Sequence, residues 1–226
     1  AAAEAAFAAL AARLARPDPS DSPVPLAQYR AAVERPRFAA VFTAHPTFAL
    51  PAEVYRALAE AACGREEGRC FVSHRPERPT LEQEFAQALA AITHGRDALD
   101  RLNGALLDAA RAHWPDRWAE LVPAPVVLAS WVGYDTDGRV DIGWWDTLRL
   151  RLRMKAEQLA RLGGQLAGLE AAAALARRLD EARAAVEAQI AACPAGPDPD
   201  AVAAFARLLI GRREEALVTP EPLLPP

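Results

Sequence analysis

The stretch APVVLASWVGYDTDGR, residues 124–139, decides the fold of this chain. Its first part, Val126–Ser130, is largely apolar, and the stretch then breaks at Gly133 and at the acidic turn 135–138. Apolar residues do not recur at helical spacing in it, so it predicts a short buried strand that ends in a functional turn. Nearly all of the remaining chain is rich in alanine, leucine and arginine with helical periodicity.

One other stretch interrupts the helical pattern in the same way. The sequence AVFTAHPT, residues 40–47, is apolar before it reaches His45 and Pro46, and it predicts a first strand over Phe38–Phe42. A long helical segment joins the two strands, and such a crossover connection makes them parallel neighbours. We therefore predict a mainly α fold with two short parallel strands, and we expect His45 and Asp135 to emerge at the same end.

A capping signal opens the long helical segment between the strands. Thr80 and Gln83 have the spacing of a capping box, and the helix that they begin is predicted to run to about His113. We expect this helix to bend near Gly95 or Gly104.

The outer helices carry further signals. Phe7, Leu10 and Leu14 are predicted to form the apolar face with which the first helix packs on the core. The pair Gly163-Gly164 predicts the end or a bend of the helix that follows the second strand. Asp198-Pro199 has the form of an N-cap followed by proline at the first helical position.

Composition limits the classes of function. The 226 residues are 52% hydrophobic, which is enough for a sizeable core, and we interpret residues 1–226 as a single helical domain. The net charge is only -4 and the charges are mixed in sign, so nucleic acid and membrane surfaces are disfavoured as partners. Three cysteines in a chain of this length indicate reduced thiols and a cytoplasmic location. We find no apolar run long enough to span a membrane.

His45 is the first candidate for chemistry. It follows a buried strand and precedes Pro46, where an imidazole can face a cleft and exchange a proton near neutral pH. Local pattern alone also allows a hydrogen-bonded histidine of the core.

The acidic turn Asp135-x-Asp137-Gly138 is the second candidate. Its glycine stands at position four instead of six of a calcium loop, and a strand leads into it, so calcium is disfavoured. The plainer alternative is that the two carboxylates cap the turn and the helix that follows. The remaining histidines and cysteines do not have metal-ligand spacing, and we expect no metal site built within this chain.

At these two stretches the chain resembles the phosphoenolpyruvate carboxylases. VFTAHPT, residues 41–47, is similar to the family's histidine motif FTAHPTE, and ASWVGYDTDGR, residues 129–139, resembles its GSWMGGDRDGN motif. The helix after the second motif, with RLRMKAEQL at residues 151–159, is also similar. Both motifs occur in the family's order, with His45 and Trp131 separated by 86 residues.

The resemblance implies that the chain is the helical N-terminal portion of a phosphoenolpyruvate carboxylase-like β/α barrel. Such an enzyme joins bicarbonate and phosphoenolpyruvate to give oxaloacetate and phosphate, with Mg²⁺ or Mn²⁺ as its cation, and we expect a cytoplasmic homo-oligomer. By the same resemblance His45 is the catalytic residue, serving carboxylation. The positions expected to bind substrate or support the site are Thr47, Trp131, Asp135, Asp137 and Arg139.

Departures from the family pattern leave alternatives open. After the first motif, Phe48 stands where the family has glutamate, and Pro51-Ala52 stand where it usually has a basic pair. In the second motif, Thr136 stands where the family has arginine, and Arg139 stands where it has asparagine. The family's metal carboxylates, catalytic lysine and glycine-arginine loop have no counterpart before Pro226, so we expect this chain alone to be inactive and to bind no metal. A non-catalytic homologue acting as a regulatory or protein-binding module is the second interpretation, and an unrelated helical interaction protein is the third.

The fragment interpretation also makes a prediction about the surface. Strands and helices that are absent from a barrel fragment leave apolar faces uncovered, and these faces promote self-association. We expect the edge of the two-stranded sheet and Trp131, Trp144 or Trp145 either to lie bare or to pack against a second copy.

Overall fold

The computed structural model describes residues 2–43, 52–65, 79–134 and 139–217. Over these ranges the chain is mainly helical with two short parallel strands, which confirms the coarse fold class. Its contacts separate it into two compact units, Ala1–Val132 and Gly133–Pro226, and a hydrophobic core lies in each. The assignment to a β/α barrel and the interpretation of residues 1–226 as one domain stay predictions.

The first unit holds four helices and both strands among its described residues. In chain order they are α1 Ala2–Ala15, α2 Leu26–Val33, β1 Phe38–Phe42, α3 Ala52–Ala62, α4 Leu81–His113 and β2 Val126–Ser130. A 3₁₀ turn at Trp118–Glu120 precedes β2.

The two strands form a parallel pair with the limits that the sequence predicts. Phe38 lies opposite Val126 at one end of the pair, and Phe42 lies opposite Ser130 at the other. The crossover from β1 to β2 includes α4, which is long enough to return the chain to the start of the sheet. The carboxyl ends of β1 and β2 therefore meet at one edge.

Helix α4 begins as its capping box predicts. The Thr80 hydroxyl accepts a hydrogen bond from the backbone N–H of Gln83 at 3.2 Å, and the Gln83 side chain accepts one from the N–H of Thr80 at 2.9 Å. The helix then continues unbroken through Gly95 and Gly104 to His113. At Gly95 the missing side chain leaves room for Leu128 of β2, since an added Cβ would lie 2.8 Å from the Leu128 Cδ1.

The core of the first unit lies where α1 and α2 pack on the second half of α4. Phe7 and Leu14 pack against this core, as predicted. Leu10 is 39% exposed, so the prediction is wrong for this residue, and the buried residues of α1 are Ala11 and Ala15. Alanine occupies most positions of α1, and the small side chains of Ala11 and Ala15 permit a close approach to α4 that a leucine would prevent.

Tyr29 on α2 is the largest fully buried side chain of this core. Its hydroxyl donates to the backbone carbonyl of Leu106 at 2.8 Å, and its ring lies 5.0 Å from that of Trp114. Burial raises the pKa of Tyr29 from 10.0 to about 12, because the tyrosinate would lose its hydration.

This shifted pKa predicts a loss of stability at high pH. The unfolded chain releases the Tyr29 proton near pH 10 and the folded chain only near pH 12, so the folded state holds the extra proton between these values. We expect the free energy of unfolding of the first unit to fall by about 3 kcal/mol across this window. Denaturant titrations at several pH values measure it, and Tyr29→Phe should flatten the dependence; an equally steep fall in that variant would assign it to other groups.

The second unit is a helical bundle over its described residues. Its helices are α5 Trp144–Leu166, α6 Ala173–Ala192 and α7 Pro199–Gly211, with a 3₁₀ turn at Glu170–Ala172 before α6. The N-cap prediction for α7 is confirmed, because the Asp198 carboxylate accepts hydrogen bonds from the N–H groups of Asp200 and Ala201.

The glycine pair in α5 does not end the helix. Of the two predicted outcomes, an end or a bend, the end is therefore wrong. Gly163 and Gly164 lie within α5, which continues to Leu166. Two glycines cost about 2 kcal/mol relative to alanine. Leu162 and Leu166 pack against the core of this unit on either side of the pair, and this packing offsets the cost.

None of the helices in the described ranges is long and apolar enough to cross a membrane.

Candidate functional site

The carboxyl edge of the sheet brings the two motif-bearing segments together. The backbone N–H of Trp131 donates to the carbonyl of Phe42 at 2.9 Å, which extends the parallel pairing one residue past β2. The N–H of Val132 donates to the Ser130 hydroxyl at 3.1 Å, and Val132 is buried. Because of these contacts, the chain leaves β1 at Thr43 and β2 at Trp131 on the same edge.

Four of the predicted site residues, His45, Thr47, Asp135 and Asp137, lie outside the described residues. Their roles, and the expectation that His45 and Asp135 emerge at the same end, stay predictions. For these four residues, the structure describes only the strands that precede them in the chain.

Trp131 is the predicted site residue that the first unit describes. It follows β2 directly, and its side chain is 52% exposed. Of the two tryptophans predicted to lie bare in the second unit, Trp144 is 47% exposed, whereas Trp145 is partly buried against the core of that unit. Trp131 is therefore more exposed to solvent than Trp145, which packs against the core of the second unit.

Arg139 is the predicted site residue that the second unit describes. Its Nε and one terminal nitrogen donate to the two carboxylate oxygens of Asp141 at 2.8 and 2.9 Å. The Arg139 side chain is only 12% exposed, while that of Asp141 is 58% exposed. A planar guanidinium fits a carboxylate in this two-bond geometry, so the charge of Arg139 is matched by a neighbouring carboxylate.

Two contacts that the sequence analysis missed hold the start of the acidic turn on α5. The Thr147 hydroxyl donates to the backbone carbonyl of Gly133, and the Arg151 guanidinium lies 4.1 Å from the centre of the Tyr134 ring. Burial lowers the pKa of Arg151, and the interaction with Tyr134 partly opposes that shift. Thr147 and Arg151 are one helical turn apart, but only the fold shows that this face of α5 meets residues 133–134.

Gly133 is required in this arrangement by both its backbone and its surroundings. Its φ is +81°, in the left-handed region, and an added Cβ would lie 2.7 Å from the Leu150 Cδ1. The isolated glycine before the turn was a signal that could have identified this contact from the sequence.

We expect Gly133→Ala to lower the free energy of unfolding of the second unit by about 1–3 kcal/mol, because a left-handed alanine is strained and Leu150 must move. Gly164→Ala is the matched control: it lies within α5 with no atom within 4 Å of an added Cβ, and it should stabilise by about 0.5–1 kcal/mol. Urea titrations of both variants measure the difference. Equal effects of the two substitutions would contradict the argument.

Lys155 belongs to the helix segment that resembles the family, and its described contact is structural. Its ammonium donates to the carbonyl of Leu217 at 2.7 Å, and Arg178 donates to the carbonyls of Glu214 and Glu215. Leu217 is buried and has a φ of +53°. These two cations therefore hold the turn that follows α7, and burial lowers the pKa of Lys155.

Helix α4 packs on one face of the sheet and the other face is bare. The covering is incomplete, because Phe38 at the start of β1 lies on the α4 face and is 63% exposed. Leu128 points to α4, as its approach to Gly95 shows. Side chains alternate along a strand, so Val41 and Val127 lie on the opposite face, where they are 51% and 43% exposed. The bare face and Trp131 together form the exposed apolar surface next to the carboxyl edge.

The described ranges contain no group of three histidine, cysteine, aspartate or glutamate side chains that could hold a metal ion. No protein-family model matches the chain, and neither the curated proteins nor the solved structures contain a significant match to it.

Proposed function

We propose that this chain is the N-terminal portion of a phosphoenolpyruvate carboxylase-like lyase. The observation that carries the proposal is the parallel pairing of β1 and β2 with Phe42 opposite Ser130. The segments that resemble the family's two motifs begin in the last two residues of these strands and continue beyond them. The carboxyl ends of parallel strands are where β/α enzymes carry their chemistry.

The bare face of the sheet supports the same proposal. Parallel strands in β/α proteins are covered on both faces, and a two-stranded sheet by itself is only marginally stable. Here α4 covers the face that bears Leu128, while Val41 and Val127 stay exposed on the other. Further strands of a barrel would cover Val41 and Val127.

In the proposed reaction a bicarbonate oxygen attacks the phosphorus of phosphoenolpyruvate. The bond from phosphorus to the enol oxygen breaks, which gives carboxyphosphate and the enolate of pyruvate. Carboxyphosphate then releases phosphate and carbon dioxide, and the enolate carbon attacks carbon dioxide to give oxaloacetate. His45 serves the carboxylation step as the proton-exchanging group.

The remaining predicted residues bind or position substrate in this proposal. They are Thr47, Trp131, Asp135, Asp137 and Arg139. By the same resemblance, Mg²⁺ or Mn²⁺ would be bound by carboxylates in other parts of the enzyme.

A regulatory or protein-binding homologue is the second candidate function. The observation that favours it is the Arg139–Asp141 pair, because a guanidinium that is 12% exposed and bound to a carboxylate offers little charge to an anionic substrate. In this alternative the exposed Trp131 and the bare sheet face contact a protein partner.

The two candidates are separated by assaying a longer protein encoded in frame with this chain. We expect such a protein, with Mg²⁺, bicarbonate and phosphoenolpyruvate, to form oxaloacetate, which reduction to malate reports through loss of NADH absorbance. The 226-residue chain should be inactive. Binding of phosphoenolpyruvate without turnover by the longer protein would favour the regulatory homologue. Phosphate release by the 226-residue chain would contradict the proposal that other parts of the enzyme complete the active site.

A further inference from the structure

One face of α5 holds the two residues that precede the acidic turn, Gly133 and Tyr134. The Thr147 hydroxyl donates to the carbonyl of Gly133, and the Arg151 guanidinium lies 4.1 Å from the centre of the Tyr134 ring. Between these two contacts, the Leu150 Cδ1 lies 2.7 Å from the place of a Cβ added at Gly133. The three side chains of α5 are three or four residues apart, so they act from the same side of the helix.

Another side of α5 is anchored in the core of the second unit. Leu152 and Leu159 belong to one buried cluster with Val186 of α6. Arg149 donates to the carbonyl of Pro194, just after α6, at 2.7 Å. Helix α5 is therefore a rigid support, and the geometry of a functional site is most precise when rigid elements carry it.

Tyr134 is an exposed aromatic residue that is fixed from the α5 side. Its side chain is 49% exposed, whereas Arg151 is partly buried, and a cation–π contact strengthens when the cation is partly withdrawn from water. The φ of +81° at Gly133 and the bond from Thr147 set the backbone direction just before the ring. A half-exposed ring adds little to a core, so the main effect of these contacts is to fix where the chain enters the acidic turn.

We propose that Thr147 and Arg151 are positioning residues of the carboxylase site, acting through Tyr134 on the acidic turn that follows. The inference rests on the proposed function, in which Asp135 and Asp137 bind or position substrate. Asp135 is the next residue after Tyr134, so a displacement of Tyr134 also displaces the start of the turn. Misplacement of a substrate-positioning group by about 1 Å can cost roughly 100-fold in rate.

Steady-state kinetics of the proposed full-length carboxylase test the functional part of the inference. Thr147→Val removes the donor at similar shape and Arg151→Met removes the cation, so we expect kcat/KM to fall at least tenfold in each, with a higher KM for phosphoenolpyruvate or bicarbonate. Thr147→Ser keeps the hydroxyl and should retain the wild-type values. A merely structural role would reduce the fraction of folded enzyme, and thereby kcat, without changing KM.

Arg207→Met is the matched control for Arg151→Met. It removes an exposed cation from α7 of the same unit, so it should change neither kcat nor KM. A rise in KM that Arg207→Met shares would assign the effect to the loss of charge in general and would overturn the inference.

Fluorine NMR of the 226-residue chain tests the structural part independently of activity. The chain has three tyrosines, so labelling with 3-fluorotyrosine gives three resonances, and Tyr134→Phe identifies that of Tyr134. We expect this resonance to shift in Thr147→Val and Arg151→Met and to stay in place in Thr147→Ser and Arg207→Met. Thr147 holds the backbone of Gly133, so a shift in Thr147→Val reports movement of Tyr134 itself.

The two measurements separate failure of the inference from failure of the proposed function. Unchanged KM values in Thr147→Val and Arg151→Met of an active enzyme would overturn the inference, and so would an unchanged Tyr134 resonance. A wild-type longer protein that forms no oxaloacetate would instead refute the proposed function, and the Tyr134 resonance would then still decide whether α5 fixes this residue.

Discussion

In the proposed full-length carboxylase, the His45→Asn variant is expected to form no measurable oxaloacetate. An amide cannot exchange a proton near neutral pH, so the carboxylation step loses its acid–base group. Cleavage of phosphoenolpyruvate should persist, since carboxyphosphate can still form and decay with release of phosphate. Parallel assays of oxaloacetate and inorganic phosphate therefore separate the two steps, with loss of the first product and retention of the second.

His94→Asn is the matched control for this variant. His94 lies exposed on α4, so its replacement should change neither product. Unchanged oxaloacetate formation by His45→Asn would remove His45 from the catalytic machinery, and loss of both products would assign it to binding or to folding instead of carboxylation.

Phe205→Ala is expected to lower the free energy of unfolding of the second unit by about 3–5 kcal/mol. Phe205 on α7 is 2% exposed and packs in the core with Leu179 and Val186. Truncation to alanine removes most of the buried ring and leaves a cavity that the surrounding helices fill only in part. This loss is a large share of the 5–15 kcal/mol that stabilises a typical domain.

Ile210→Ala on the same helix is the control. Ile210 is 72% exposed, so its truncation should change the free energy of unfolding by no more than about 0.5 kcal/mol. Guanidinium titrations followed by circular dichroism measure both variants. Comparable losses in the two would contradict the assignment of the core to the Phe205 face of α7.

The sequence predicted the positions of the two strands because their signals are local and unusual in this chain. Val126–Ser130 and Phe38–Phe42 are apolar runs without helical spacing, and turn-forming residues follow each of them. The caps at Thr80 and Asp198 were equally local, since each depends on a side chain reaching an N–H group two or three residues away.

Burial within the alanine-rich helices could not be predicted in the same way. In α1 the larger apolar residues marked the core face only in part: Phe7 and Leu14 pack on the core, but Leu10 is exposed. Ala11 and Ala15 are buried, and in a helix that is mostly alanine the sequence does not distinguish them from the exposed alanines. The glycine pair of α5 was misjudged for a related reason: local propensity disfavours helix there, but packing of Leu162 and Leu166 extends it.

The candidate site likewise combines features that the sequence determined with features that only the tertiary structure decided. The sequence by itself determined which residues carry the resemblance, from His45 to Arg139, and that two strands precede them, because motifs and strand signals are properties of consecutive residues. Only the tertiary structure decided that Phe42 lies opposite Ser130, that Thr147 and Arg151 hold residues 133–134, and that Asp141 binds Arg139. Strand pairing, register and side-chain contacts depend on how segments that are far apart in the chain, or that turn back on themselves, pack together. A local sequence pattern does not contain this information.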